Sequence, residues 1–236
     1  MNPNTSCAAC KSCLAVLVVL WAGWLSAGET LAPLPLKLPT PAFRSTPPEA
    51  PKSPHIEPLS DKPRPAFLAP AGAHNVALNK KVTSSDRNPM AGELAQITDG
   101  DKEAVDDAVV ELHKNVQWVQ VDLEQECRIF AVVLWHDHRY MQVFRCVVVQ
   151  VADDPDFTGK VQTLFNNDIE NLAGLGLGKD KQYFETHQGK LIDAKGIQGR
   201  YLRCYSKGSN ESALNCYTEL EVYGLPAGTF QAASTR

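Results

Sequence analysis

Twelve of the chain's 16 prolines fall between Pro33 and Pro70, and this concentration divides the 236 residues more sharply than any other feature. Each proline fixes φ at about −65° and removes a backbone donor, so so dense a run can be neither helix nor central strand. Residues 29–72 are therefore expected to form a disordered Pro-rich linker, extended and semi-rigid. At about 3 Å per residue it would reach on the order of 100 Å. The regular fold has to come from the remainder, and residues 73–226 are expected to fold without the linker.

The 28 residues ahead of the linker read as an export signal. Lys11 supplies a positive start, Leu14 to Leu25 is an unbroken apolar stretch, and Ser26, Ala27 and Gly28 are the small residues of a cleavage site. That stretch is shorter than the roughly 20 residues of a membrane span, so no span is expected after cleavage; retention as an anchor is the alternative. Export implies a secreted, periplasmic or cell-surface protein. Cys7, Cys10 and Cys13 precede the apolar stretch and would leave with the signal. Residues 227–236 read as a short tail.

From Ala73 the chain becomes a series of short runs rich in β-branched and aromatic residues, separated by Gly, Asn, Asp and Pro. These runs are 82–84, 118–123, 129–135, 146–152, 161–165, 201–205 and 217–223. Between Trp118 and Leu123, Val119, Val121 and Leu123 share one face and Gln120 and Asp122 the other, as a sheet with one wet face requires. Ile129 to Trp135 is apolar on both faces, which calls for a strand covered on both sides. Only Ala104 to Leu112 competes as a short acidic helix or a loop. The fold class is all-β: an antiparallel β-sandwich of jelly-roll type. Within 73–226, sixteen basic residues face 23 acidic ones, which gives no basic surface for nucleic acid.

Several of these segments in order resemble one family. They are Asn75 to Lys80 with Val82 to Ser85, Ile97 to Asp101, Trp118 to Leu123, Ile129 to Trp135, Gly199 to Arg203, and Thr218 to Gly224. Together they make residues 73–226 similar to the discoidin, or coagulation-factor C-type, domain of the galactose-binding-like superfamily, here in an exported protein of bacterial type. The resemblance implies a calcium-like structural cation held by the side chains of Asp99 and Glu219, the carbonyls of Gln96 and Thr218, and Asp101. Oxygen donors of this kind suit a hard cation. The chain departs from the family where relatives carry a hydroxyl residue after the Asp-Gly pair, since Glu103-Ala104-Val105 stand there; a carbonyl, Asp106 or Asp107 would have to substitute.

The resemblance also places a sugar-binding arginine after the apolar strand, and Arg139 matches it. Its planar fork of donors suits two adjacent hydroxyls. His136 and His138 would add hydrogen bonds and Tyr140 a stacking face, with Asn215 and Tyr217 completing the pocket. A zinc reading of the His136–His138 pair lacks a third ligand. The loop from Asn166 to Asp180, with its glycines at 174, 176 and 178, is either a ligand-facing or ion-binding loop, through Asp168, Glu170 and Asp180, or a surface turn closed on its own backbone. Cys127, Cys146, Cys204 and Cys216 allow three pairings, with 127–146 and 204–216 the local ones, or remain buried thiols.

The function expected is a noncatalytic, exported, carbohydrate-binding or adhesive module whose partner is a carbohydrate or cell-surface glycan. A protein-interaction module without sugar specificity is the alternative, and a small hydrolase using His136 or His138 a third reading. No GxSxG or HExxH motif supports catalysis.

Overall fold

The computed structural model describes residues 29–41, 51–60 and 62–230. The export-signal segment 1–28 and the last residues of the tail, 231–236, lie outside the described residues. Ten strands account for nearly all the regular structure: β1 (Leu31–Pro33), β2 (Leu68–Pro70), β3 (His74–Asn75), β4 (Val82–Ser84), β5 (Val110–Leu112), β6 (Gln117–His136), β7 (Val148–Ala152), β8 (Val161–Asn166), β9 (Lys190–Ser206) and β10 (Asn215–Pro226). The stretch 104–112, open between helix and loop in the sequence, contains a single 3-10 turn at Asp106–Ala108 followed by β5.

All pairings are antiparallel, in the order β3-β10-β6-β9-β7-β8, with β4 added to β6 and β5 to β10. Two long strands turn this single ladder into a sandwich. The β6–β9 register breaks between Asp122 and Cys127. On one side of the break, residues 117–122 of β6 pair with β4 and with 201–206 of β9; on the other, 127–136 pair with β10 and the first half of β9. The irregularity lets both strands bend and bring two halves face to face. Val119, Val121 and Leu123 point inward as the alternation requires, against Val132, Leu134, Leu202, Leu220 and Val222, all at most 1% exposed. Each such side chain contributes about 1.5–3 kcal/mol on burial.

The other face of β6 explains what the prolines are for. Phe130, Ala131, Val133 and Trp135, with Tyr223 and Leu225 of β10, make a second apolar surface outside the sandwich. It is covered by the segment read from sequence as a spacer. β1 and β2 pair as a two-stranded ribbon, and Leu34, Leu36 and Phe67 pack onto the apolar surface. The ribbon is closed by Leu34 N–H to Phe67 C=O at 3.0 Å and Ala71 N–H to Thr30 C=O at 2.7 Å. Arg64 fastens the returning arm by donating to the carbonyls of Gly189 at 2.9 Å and Gln188 at 3.0 Å, and Lys190 pairs with Glu57 at 2.6 Å. The described parts of 29–72 are thus extended, as proline demands, yet seated on the domain as a strap. Gly189 is required under it: its φ is +62°, and a Cβ there would come within 2.5 Å of the Trp135 ring.

None of the four cysteines in this region is disulfide-bonded, and all are buried. The local 127–146 pairing is excluded by the fold, since Cys127 pairs with Gly199 at the bend of β6 whereas Cys146 precedes β7 at the opposite end. Burial pushes the Cys146 and Cys216 thiols up to about 12, for Cys146 with the Asp168 carboxylate beside it adding to the rise, so both stay protonated in the interior.

Deleting residues 29–72 is expected to expose the Trp135 face. Losing the cover of Leu34, Leu36 and Phe67 would cost roughly 3–5 kcal/mol, a fall of about 10 °C in Tm for a domain of this size. Calorimetry and dye binding on the full and truncated chains measure this; equal Tm and no added dye binding would show that the strap does not stabilise the domain.

Candidate functional site

The strand ends gather at one pole of the sandwich. β6 stops at His136, β10 starts at Asn215, β9 stops at Ser206, β7 starts at Val148 and β8 stops at Asn166. A 2.8 Å bond between the hydroxyls of Tyr217 and Ser206 ties the two halves together there. The residues read from sequence as a sugar pocket all lie at this pole, but most are spent on its construction.

His136 is fully buried, stacked on Phe144 with ring centroids 4.1 Å apart, and its Nδ1 bonds Glu185 Oε1 at 2.7 Å. Its Nε2 and Glu185 Oε2 have no protein partner. His138 is 1% exposed, and its Nε2 bonds the Lys102 carbonyl at 3.0 Å, which fixes the proton on that nitrogen. Arg139 is 6% exposed and turns inward. Its Nε and Nη2 donate to the two carboxylate oxygens of Asp137, both at 2.8 Å, and Nη1 donates to Asp106. This bidentate clamp raises the guanidinium above its ordinary pKa. Asn215 is fully buried, accepting from Ser206 and Gly208 and donating to the carbonyls of His113 and Asn115. Tyr217 is fully buried with its hydroxyl at Ser206 and Cys204. Of the six, Tyr140 alone is substantially exposed, at 37%. The structure therefore gives His136, His138, Arg139, Asn215 and Tyr217 structural contacts in place of the ligand contacts expected.

One partner of this cluster escapes sequence reading: Glu185 lies 49 residues from His136. The Arg139–Asp137 pair is the alternative to a sugar contact that the sequence offers, a carboxylate two residues before the arginine, and the fold buries it.

The residues expected to hold a cation lie on the outer face, next to the strap. Asp99 Oδ1 accepts from the Asp101 N–H at 2.8 Å, and Asp101 Oδ1 from the Glu103 N–H at 2.9 Å. The Gln96 side chain accepts from the Glu93 N–H in its own turn and donates to the Asp107 carbonyl in the next one. Thr218 donates its hydroxyl to the His136 carbonyl. Glu219 is fully buried: Oε2 accepts from the Gly100 N–H at 3.3 Å, and Oε1 has no partner. Burial, with Glu221 and Asp99 adding repulsion, pushes this carboxyl up to about 9. Lys102 opposes the effect, although its ammonium is committed to Glu221 at 2.6 Å. Among the described residues no three His, Cys, Asp or Glu side chains converge as a metal site. A cation here would depend on Glu219 and Asp99 plus backbone carbonyls, and the unpartnered Glu219 oxygen fits such a role.

The Asn166–Asp180 loop is closed on itself, as its turn chemistry suggests. Asn166 N–H donates to Asp180, Asn166 Nδ2 to the Gly176 carbonyl, and Ala173 N–H to Asp168 Oδ2. It nevertheless borders an open depression of about 230 Å³ beside Arg145 and Cys146. A second, shallower depression of about 360 Å³ adjoins it, between Lys114, Lys207 and Asn210.

No family model matches the chain, and no curated protein matches it. Solved structures do. Part of a family 89 glycoside hydrolase from Clostridium perfringens is similar with a TM-score of 0.50 and 13% identity, over 65% of this chain and 15% of the enzyme. Chitosan-binding module 1 of a Paenibacillus sp. IK-5 chitosanase/glucanase has a TM-score of 0.42 and 20% identity, over 64% and 99% of the two chains. A Streptococcus pneumoniae fucose binding module has a TM-score of 0.45 and 17% identity, over 65% and 96%. The likeness is one of fold. This chain spans only a small share of the hydrolase, and at these identities the β-sandwich is what is shared.

Replacing Arg139 with Ala is expected to leave the buried Asp137 carboxylate unpaired and to cost about 3–5 kcal/mol in urea unfolding. A variant as stable as the parent would return Arg139 to the pool of ligand-binding residues. Glu219 makes a separate expectation. Its folded pKa of about 9 lies above the ordinary 4.5, so the folded chain holds this proton more tightly than the unfolded chain. Its contribution to stability is complete below about 4.5 and is lost as pH rises toward 9. In metal-free buffer Tm should fall over that window, and Glu219→Gln should flatten the fall; an unchanged slope in the variant would contradict this.

Proposed function

We propose that the chain is a noncatalytic module that binds carbohydrate through the loop pole of the sandwich, with a discoidin-type relationship and an exported location. The carrying observation is the division of labour at that pole. The residues with catalytic chemistry, His136, Asp137 and His138, are at most 5% exposed and locked in bonds to their own scaffold, so no substrate reaches them. Two open depressions, one mixed and one mainly polar, lie at the same pole on the same rigid support. Rigid strands presenting shallow polar loops suit recognition of a hydroxyl-rich surface. In this reading a hard cation is held by Glu219 and Asp99, with the carbonyls of Gln96 and Thr218. Its charge would stabilise the buried carboxylate and fix the 96–103 turn.

Chitosan, fucose and N-acetylglucosaminyl-galactose, named with the similar structures, are natural first probes. A glycan array of the full chain, in calcium and in chelator, is expected to give binding to a restricted set of sugars. Chelator should lower Tm, because an ion bound only to the folded state stabilises it by mass action. No glycan bound in either condition would overturn the carbohydrate reading; an unchanged Tm, with no metal in the purified protein, would remove the cation.

A further inference from the structure

Lys80, Lys102, Arg128, Arg139, Lys190 and Arg200 each lie against a carboxylate. Lys114, Arg145 and Lys207 do not: none of them forms an ion pair with a described residue, and all three line the same depression of about 360 Å³ at the loop pole. Lys114 and Arg145 are exposed and Lys207 is half-buried. Their backbones are fixed. Lys207 N–H donates to the Arg145 carbonyl and Arg145 N–H to the Gly208 carbonyl, both at 2.8 Å, so the two basic residues are held on adjoining chains. Gly208, at φ +62°, lets the chain turn sharply after Lys207; a Cβ there would come within 2.5 Å of the Ser212 carbonyl. The buried amide of Asn215 holds the turn that carries Lys114 by donating to the carbonyls of His113 and Asn115. The one acid in the lining is Glu211, which accepts from the Asn210 amide.

From this cluster we infer a site for an acidic sugar, whose carboxylate or sulfate group is taken by Arg145, Lys207 and Lys114. Three like charges around one depression repel one another, and a ligand that brings negative oxygens relieves that repulsion. The Arg145 fork can meet two oxygens of one anionic group, while the lysines act as mobile point charges. The Ser212 hydroxyl accepts from the Leu214 N–H at 3.1 Å and keeps its own proton to donate to a sugar hydroxyl. No aromatic or other large apolar side chain is in the lining, so recognition has to come from charge and hydrogen bonds rather than from ring stacking. The volume lies within the roughly 300–1,000 Å³ usual for ligand pockets. The positive patch is also small. Glu211 lines it, Glu170 lines the adjoining depression that Arg145 shares, and residues 73–226 carry 23 acidic against 16 basic residues. An isolated charge on a glycan fits such a patch better than a continuous anionic surface, which would meet these acids. A polycation such as chitosan is refused by the same charges.

This inference rests on the carbohydrate reading and names the class of sugar and its site. The test is calorimetric titration of the full chain with an oligogalacturonate, a sulfated heparin oligosaccharide and a neutral N-acetylglucosamine oligosaccharide, repeated on Arg145→Ala and on the double variant Lys114→Ala/Lys207→Ala. The three side chains reach solvent and make no ion pair with a described residue, so the variants are expected to keep the parent Tm. At least one of the two acidic oligosaccharides is expected to bind, and which one tells a carboxylate from a sulfate. Its affinity should be about tenfold weaker in each variant, and should fall severalfold between about 50 mM and about 300 mM salt, because exposed charges are screened. Acidic sugar bound equally well by the parent and both variants, or binding of the neutral oligosaccharide alone, would overturn this site and leave the carbohydrate reading standing. Binding to vesicles containing phosphatidylserine that the variants lose, with neither acidic oligosaccharide bound, would overturn the sugar in favour of a membrane surface. No binding of these three or of any arrayed glycan would overturn both the site and the carbohydrate reading.

Discussion

Strand β6 is the element on which the rest of the molecule depends. Its first half belongs to one face of the sandwich and its second half to the other, so the bend between Asp122 and Cys127 decides that there are two layers at all. Its second half, from Ile129 to Trp135, is buried on both sides. One side finds the sandwich core, and the other is closed by a ribbon from the proline-rich segment. The entropic cost of ordering that segment is low because proline restricts the unfolded chain as well. A sequence with few available conformations is thus used as a cover over apolar surface that would otherwise meet water.

The loop pole has a comparable economy. Buried charge is tolerated there because each group is matched: Asp137 by both arms of Arg139, and Glu221 by Lys102 and the Tyr223 hydroxyl. Pairs of this kind give orientation more than stability. They hold the chain after β6 in a single course, and the neighbouring loops inherit their positions from it. The exceptions, single atoms of His136, His138, Asn167, Asp168, Tyr183, Glu185 and Glu219, stand out against that background of completed bonds.

Much of the architecture was legible in the sequence because strand alternation is a local property. The runs at 118–123, 129–135 and 217–223 declared their strands, and the doubly apolar character of 129–135 announced that something must cover its second face. What that something was could not be read, because prolines specify an extended backbone and say nothing about where it lies. The sites were less legible for a related reason. His136, Arg139 and Tyr217 are residue types that binding sites use, and the fold gathers them at one pole. Whether such a side chain points outward depends on partners such as Glu185 and Ser206, brought near only by the fold. The loop of Asn167 and Asp168 stays open in the sequence between a ligand or ion site and a turn closed on its own backbone, since an atom left without a partner has no signature in sequence.

The course of the strap also gives the molecule a polarity. Glu29, at the start of the described chain, pairs with Arg128 beside the bend of β6, and Pro226 at the end of β10 lies opposite Cys127 at the same place. Both ends of the described chain therefore depart from the pole opposite the loops. If either end is fixed to a surface or a neighbouring domain, the depressions at Arg145 and Lys207 face away from the point of attachment, as the head of a matchstick faces away from the hand.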